Sequence, residues 1–179
     1  MQITVIIGSL REKSYNRAVF NTLKELAPEG VVFVEAPIHD LPLLNTDRED
    51  PLPSTVADLK EAIESADGVI LMTPEYNRSI SGALKNAIDW ATRPEGKNSW
   101  TGKPVTVMGA TPGRLGTAPA QMHLKGILVY LGTKPMGQPE AYIGGAADLI
   151  SEDGLTIQDE GMRERLGKFL EAFIRHIKG

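Results

Sequence analysis

The chain contains no cysteine. Disulfides, thiolate nucleophiles and cysteine-ligated iron–sulfur clusters are thereby excluded, and any redox chemistry falls to a non-covalently held cofactor. Long apolar runs are missing as well. Nowhere do about 18 apolar residues follow one another, and the opening Met1-Gln2-Ile3-Thr4-Val5-Ile6-Ile7 has neither a cationic start nor a small-residue cleavage site. The expectation is a cytoplasmic protein without membrane association. Nor is there a basic run. With a formal net charge of -4, the chain lacks the clustered Lys and Arg that release counterions from a phosphate backbone, which argues against a nucleic-acid partner.

Two nucleotide-binding fingerprints are absent too. No G-x-x-x-x-G-K-[ST] occurs, which disfavours a Walker-type triphosphate site, and no G-x-G-x-x-G follows a strand as a dinucleotide fingerprint would. The stretch from Gly161 to Lys168 is superficially like a P-loop, but it has one residue too many and lies in a terminal helical pattern. His39, His123 and His176 are scattered without ligand spacing, so structural or surface roles are expected for them and no metal site is.

What the chain does have is 179 residues, 41% of them apolar, the make-up of one domain spanning 1–179. Five β-rich runs, at 2–8, 31–35, 68–73, 104–110 and a weaker one within 133–143, alternate with helical patterns at 16–26, 54–65, 81–92 and 118–131. A last helix carries Met162, Leu166, Phe169, Leu170, Phe173, Ile174 and Ile177 at helical spacing. This order predicts an α/β fold, a five-stranded parallel sheet with helices on both faces. The runs Ile3 to Ile7 and Val69 to Met72 are nearly continuous in apolar residues, as central strands buried on both sides require. Open sheets of this kind bind ligands beyond the carboxyl ends of their strands, so the loops after strands 1, 3 and 4 are the places to look.

The first loop, Gly8-Ser9-Leu10-Arg11-Glu12-Lys13-Ser14-Tyr15-Asn16-Arg17, enters a helix and gathers hydroxyl, amide and guanidinium donors. Unpaired N–H groups at a helix start favour an anion, to which Ser9, Ser14 and Asn16 add side-chain donors and Arg11 a charge. The alternative is that Ser14 only caps the helix. The second, Thr73-Pro74-Glu75-Tyr76-Asn77-Arg78, sets an aromatic beside an amide, as a flavin ring requires of its wall and its pyrimidine edge; the alternative is a capped loop whose Tyr76 packs on the surface. The third, Gly109-Ala110-Thr111-Pro112-Gly113-Arg114-Leu115-Gly116-Thr117, has small residues that let backbone N–H groups approach a ligand, where they would favour a reduced, anionic flavin; the alternative is that Gly113 and Gly116 are ordinary loop glycines.

Taken together, G-S-L-R-x-x-S-x-N-R, P-E-Y-N followed by L-K-N-A-I-D-W, and G-A-T-P-G-x-x-G resemble the NADPH-dependent FMN reductase family, which includes quinone, chromate and azo-dye reductases. The resemblance runs over nearly the whole chain. It implies a flavodoxin-like fold with FMN as cofactor. Ser9, Arg11, Ser14 and Asn16 would hold its phosphate, Pro74, Glu75, Tyr76 and Asn77 would border the isoalloxazine, and Thr111, Gly113, Arg114 and Gly116 would meet its pyrimidine edge. It also implies a homodimer or homotetramer with the flavin near the subunit interface. Thr117, where a second glycine is common, and Pro119, where an arginine is, depart from the family pattern; they bear on interface and substrate pocket more than on FMN.

The activity so implied is hydride transfer from NADPH or NADH to FMN, then to a small acceptor such as a quinone, free flavin, azo compound or chromate that takes the same place, giving ping-pong kinetics. The cofactor carries the chemistry, so no catalytic side chain is expected. Arg78 and Arg114 are the candidates to meet a 2′-phosphate. A flavodoxin-like electron carrier is the alternative, but it calls for a strongly acidic docking face, and -4 is mild. A phosphoacceptor signalling module needs an aspartate ending strand 3, where this chain has Thr73-Pro74.

Overall fold

The computed structural model describes residues 1–179. In chain order the elements are β1 (Gln2–Ile7), α1 (Tyr15–Glu25), β2 (Val32–Glu35), α2 (Ser54–Glu64), β3 (Gly68–Met72), α3 (Gly82–Trp90), β4 (Pro104–Ala110), α4 (Ala118–Tyr130), β5 (Lys134–Pro135), β6 (Ala141–Ile143) and α5 (Glu160–Lys178). The strands lie in the order β2-β1-β3-β4-β5, with β6 also on β4, and every pairing is parallel.

The expected fifth strand is two. β5 runs beside Pro104 and Val105, while β6 runs beside Met108, Gly109 and Ala110. Between them lie Gly137, Gln138 and Pro139, and a proline has no N–H to give a ladder, so the edge strand breaks there and resumes further along the same neighbour.

Side-chain alternation along the central strands assigns the helices to faces. Ile3, Val5 and Ile7 of β1, with Ile70 and Met72 of β3, pack against Val19, Phe20 and Leu23 of α1 and Leu166, Phe169, Leu170 and Phe173 of α5. The intervening residues, Ile6, Val69, Leu71, Val105 and Val107, turn to the other face. They meet Leu59 and Ile63 of α2, Leu84 and Ile88 of α3, and Leu124 and Leu128 of α4. Because β2 and β3 lie on opposite sides of β1, the strand order reverses at β1, and the loops after β1 and β3 part there to leave a crevice.

Phe173 is fully buried at the centre of the α5 face. Its truncation in Phe173→Ala is expected to cost about 3–5 kcal/mol through lost burial and the cavity left behind, read as a lower urea midpoint at unchanged slope.

Candidate cofactor site

A cleft of about 230 Å³ opens where the three loops converge, lined by Ser9, Arg11, Ser14 and Asn16 from the first, Pro74 and Tyr76 from the second, and Ala110 and Thr111 from the third. The first loop leaves β1 through Gly8, whose N–H donates to Met72 O at 2.7 Å and whose carbonyl accepts from Ser81 Oγ at 2.6 Å. A Cβ at Gly8 would press on Leu84 Cβ and Met72 O at 3.1 Å, so the backbone here has little room for anything but glycine. Ser14 does cap α1: its Oγ accepts from Arg17 N at 3.0 Å. Capping and phosphate binding by Ser14 are compatible, because a hydroxyl that accepts there keeps its proton to donate. The N–H groups of Tyr15 and Asn16, in the first turn, have no protein acceptor. Arg17 pairs with Glu35, whereas Arg11 has no ion pair and lies over the Tyr15 ring at 6.0 Å.

Asn16 plays a part that its sequence position does not disclose. Its Oδ1 accepts from Ala110 N at 2.9 Å and its Nδ2 donates to Ala110 O at 3.3 Å, with the residue 1% exposed. The side-chain amide thus ties the start of α1 to the end of β4. What it has left for a ligand is one amide hydrogen and its backbone N–H.

The second loop folds into a two-residue hairpin in which Tyr76 and Ser79 exchange backbone hydrogen bonds of 3.0 Å. Asn77 and Arg78 take φ of 50° and 67° at its tip, the paired left-handed geometry of a type I′ turn, which asparagine tolerates well. Tyr76 lies on the cleft wall, 49% exposed, while Asn77 stands outside the lining at the turn. The Glu75 carboxylate is engaged by the protein, accepting from Ala120 N at 3.3 Å and Arg78 Nη1 at 3.1 Å.

The third loop is held by β6 and the turn after it. Thr111 N donates to Ile143 O at 3.0 Å, and Gly145 N to Gly113 O at 3.3 Å. Gly116 is buried with φ of 60°, and a Cβ there would stand 2.6 Å from Tyr142 C, so this glycine serves close backbone packing. Gly113 and Arg114 are exposed beyond the cleft lining, the Arg114 N–H without a protein acceptor. Thr117 is fully buried with φ of 66°, an uncommon conformation for a β-branched residue and the reason a glycine is at home in that position.

Beside this cleft a larger groove of about 1090 Å³ separates α3 from α4 and reaches the hairpin at Ser79. His123 lines it, its Nδ1 3.1 Å from Ser79 Oγ. His176 donates from Nε2 to Lys134 O at 2.8 Å, and His39 lies 3.0 Å from Asp40 on the surface. Midway along α4, Lys125 pairs with Glu140, and Tyr142 donates its hydroxyl to the same carboxylate oxygen at 2.6 Å. These two donors, Lys125 first, hold the Glu140 carboxyl below its ordinary range, while burial and the neighbouring carboxylate push the Tyr142 phenol up to about 12.

A doubly wound parallel sheet whose donor-rich loops meet at the reversal of strand order defines a flavodoxin-like fold with an anion-suited crevice at its switch point. Residues 1–148 match the NADPH-dependent FMN reductase family, and the chain belongs to it: it is an NAD(P)H-dependent oxidoreductase with FMN as cofactor. It is 40% identical over 178 residues to a 2-hydroxy-1,4-benzoquinone reductase of a Burkholderia species, covering 99% of this chain and 97% of that one. It is 42% identical over 173 residues to a quinone reductase of Pseudomonas putida, covering 96% and 90%. Among solved structures, the flavoenzyme NAD(P)H:(acceptor) oxidoreductase FerB from Paracoccus denitrificans superposes with a TM-score of 0.92 at 45% identity, over 99% of this chain and 97% of that one. The cleft fits the cofactor: free N–H groups at the start of α1, two hydroxyls and the unpaired guanidinium of Arg11 suit a dianionic phosphate.

Asn16→Ala would leave the buried N–H and C=O of Ala110 without partners, and is expected to cost about 2–4 kcal/mol in thermal or urea unfolding of the apoprotein. A serine or alanine replacing a mere phosphate donor would leave apoprotein stability unchanged. For Tyr142, absorbance titration near 295 nm should show one of the four tyrosines ionising only at about pH 12, a late step absent from Tyr142→Phe. Since the native phenol is raised above its unfolded value near 10, the stability it contributes is complete below about pH 10 and is lost as pH rises toward 12.

Proposed function

We propose that this enzyme oxidises NAD(P)H through FMN held in the three-loop cleft and passes two electrons to a small acceptor of the quinone class in a ping-pong cycle. The observation that carries it is the convergence of the three loops on one cleft whose free groups are donors. Bound FMN supplies the hydride chemistry, and the chain supplies position and charge. Ser9, Ser14, Arg11 and the N–H groups of Tyr15 and Asn16 take the phosphate. Pro74 and Tyr76 form a wall for the ring, and Thr111 with the exposed N–H of Arg114 supports negative charge at its pyrimidine edge. The quinone class rests on the Burkholderia and Pseudomonas relatives, 40% and 42% identical.

The groove between α3 and α4 lies against the same hairpin, and the exposed Met122, Val129 and Tyr130 of α4 form an apolar surface beside it. A second copy of the chain fits this face, which supports a homodimer with the flavin near its seam. Dependence on the nicotinamide pool supports a cytoplasmic reaction; no helix is long and apolar enough to cross a membrane.

Titration of apoprotein with FMN, followed by flavin fluorescence, tests the site. Ser9→Ala and Arg11→Ala are each expected to weaken binding about 10–100-fold, the worth of a hydrogen bond or ion contact to a charged group. Addition of NADPH without oxygen should then bleach the flavin band, and a quinone should restore it. Stable binding with no bleaching would instead make the chain an electron carrier.

A further inference from the structure

The Glu75 side chain is only 10% exposed, and both of its oxygens are used on the protein. The reason lies at the start of α4. A threonine preceding a helix ordinarily turns its hydroxyl back on the first N–H groups, but Thr117, at φ of 66°, instead accepts from Gln121 Nε2 at 2.9 Å and caps nothing. Ala118 N donates back to Leu115 O at 3.1 Å, and Pro119 has no N–H. That leaves the N–H of Ala120, and Glu75 Oε2 meets it at 3.3 Å from a different loop. A carboxylate at a helix start is also favoured by the helix dipole. Because α4 continues directly from the loop after β4, this contact couples the two loops on either side of the flavin ring at the very start of the helix, about a turn nearer the cleft than the contact of His123 with Ser79.

We propose that Glu75 is a positioning residue, which caps α4 from the loop after β3 and so sets the width of the cleft in which the isoalloxazine lies. The proposal rests on the assignment of FMN to this cleft. Two consequences separate it from simple structural support. The cap needs an acceptor oxygen but not a charge, so Glu75→Gln should rescue it, and Arg78, exposed and bound to the other oxygen, should be dispensable for it.

The test compares Glu75→Ala, Glu75→Gln, Glu75→Asp and Arg78→Ala by three readouts: amide hydrogen exchange at Ala120, FMN affinity by fluorescence titration, and the visible spectrum of the FMN-saturated protein. Glu75→Ala should raise Ala120 exchange at least about tenfold, weaken FMN about tenfold and shift the bound flavin band. Glu75→Gln should stay within about twofold of the unaltered protein on all three. Glu75→Asp, one methylene shorter, should show the same losses in milder form and serves if the alanine variant does not fold. Arg78→Ala should leave Ala120 exchange and the spectrum unchanged. Unaltered exchange and spectrum in Glu75→Ala, or a Glu75→Gln as impaired as Glu75→Ala, would overturn the proposal. Exchange at Ala120 is measured on apoprotein as well, so a chain that bound no FMN would defeat the functional assignment while the Glu75 cap was still decided.

Discussion

The pairing of the Asn16 amide with Ala110 is the constraint on which the site depends. Within β4, the N–H and C=O of Ala110 point toward the side of the sheet occupied by β3, but β3 has ended by then: Thr73 N already takes Met108 O, and nothing of the strand continues beyond it. The sheet therefore ends in one buried donor and one buried acceptor. Asn16 completes the ladder with a side chain, presenting a carbonyl and an N–H in the way the next strand residue would. In doing so it brings the start of α1 against the end of β4, and with it the loop after β1 against the loop after β4. Ser81 has a related role on the other flank, donating to Gly8 O while capping α3. Three loops that share no local sequence are held in register by buried polar groups whose alternative is an unsatisfied backbone.

The charge distribution obeys the same constraint. Of the two arginines in the first loop, one is neutralised by Glu35 and the other is left open toward the cleft. The acidic Glu75, in the wall of the cleft, has its charge offset by Arg78 and by the start of α4. The net result is a cleft biased toward an anion within a chain of net charge -4, without the basic stripe that would attract nucleic acid. Such a field suits a ligand with a phosphate at one end and developing negative charge on a ring at the other.

Much of this architecture is legible in the sequence. Apolar runs such as Val69 to Met72 report burial on both sides of a strand, and the amphipathic spacing of α5 reports which stripe faces the sheet; both are local patterns and both hold in the folded chain. The loops are legible as donor-rich for the same reason. What local pattern does not encode is the partner. Asn16 reads as a phosphate donor because it carries an amide at a helix start, and only the fold brings Ala110, 94 residues away, to that amide. Glu75 reads as a neighbour of the ring, and its commitment to Ala120 depends on Thr117 and Pro119 both withholding what a helix start normally supplies. The split of the edge strand is signalled by Pro139, but the resumption of pairing after it depends on the length of β4.

Partner dependence of this kind also explains why the loops, and not the sheet, separate a reductase from a carrier. A sheet with strand order β2-β1-β3-β4-β5 holds a flat, phosphorylated ligand at its switch point whichever molecules later approach that ligand. The route of the electrons is decided by access. Here the groove between α3 and α4, about 1090 Å³ in volume, reaches the hairpin at Ser79 and so the edge of the three-loop cleft. That groove is lined mainly by polar side chains, among them Lys85, Asp89, Arg93 and His123, so a molecule entering it meets charged and hydrogen-bonding groups before it reaches the cleft. Precision is confined to the cleft itself, where the buried hydrogen bonds of Asn16 and Ser81 fix the three loops against one another.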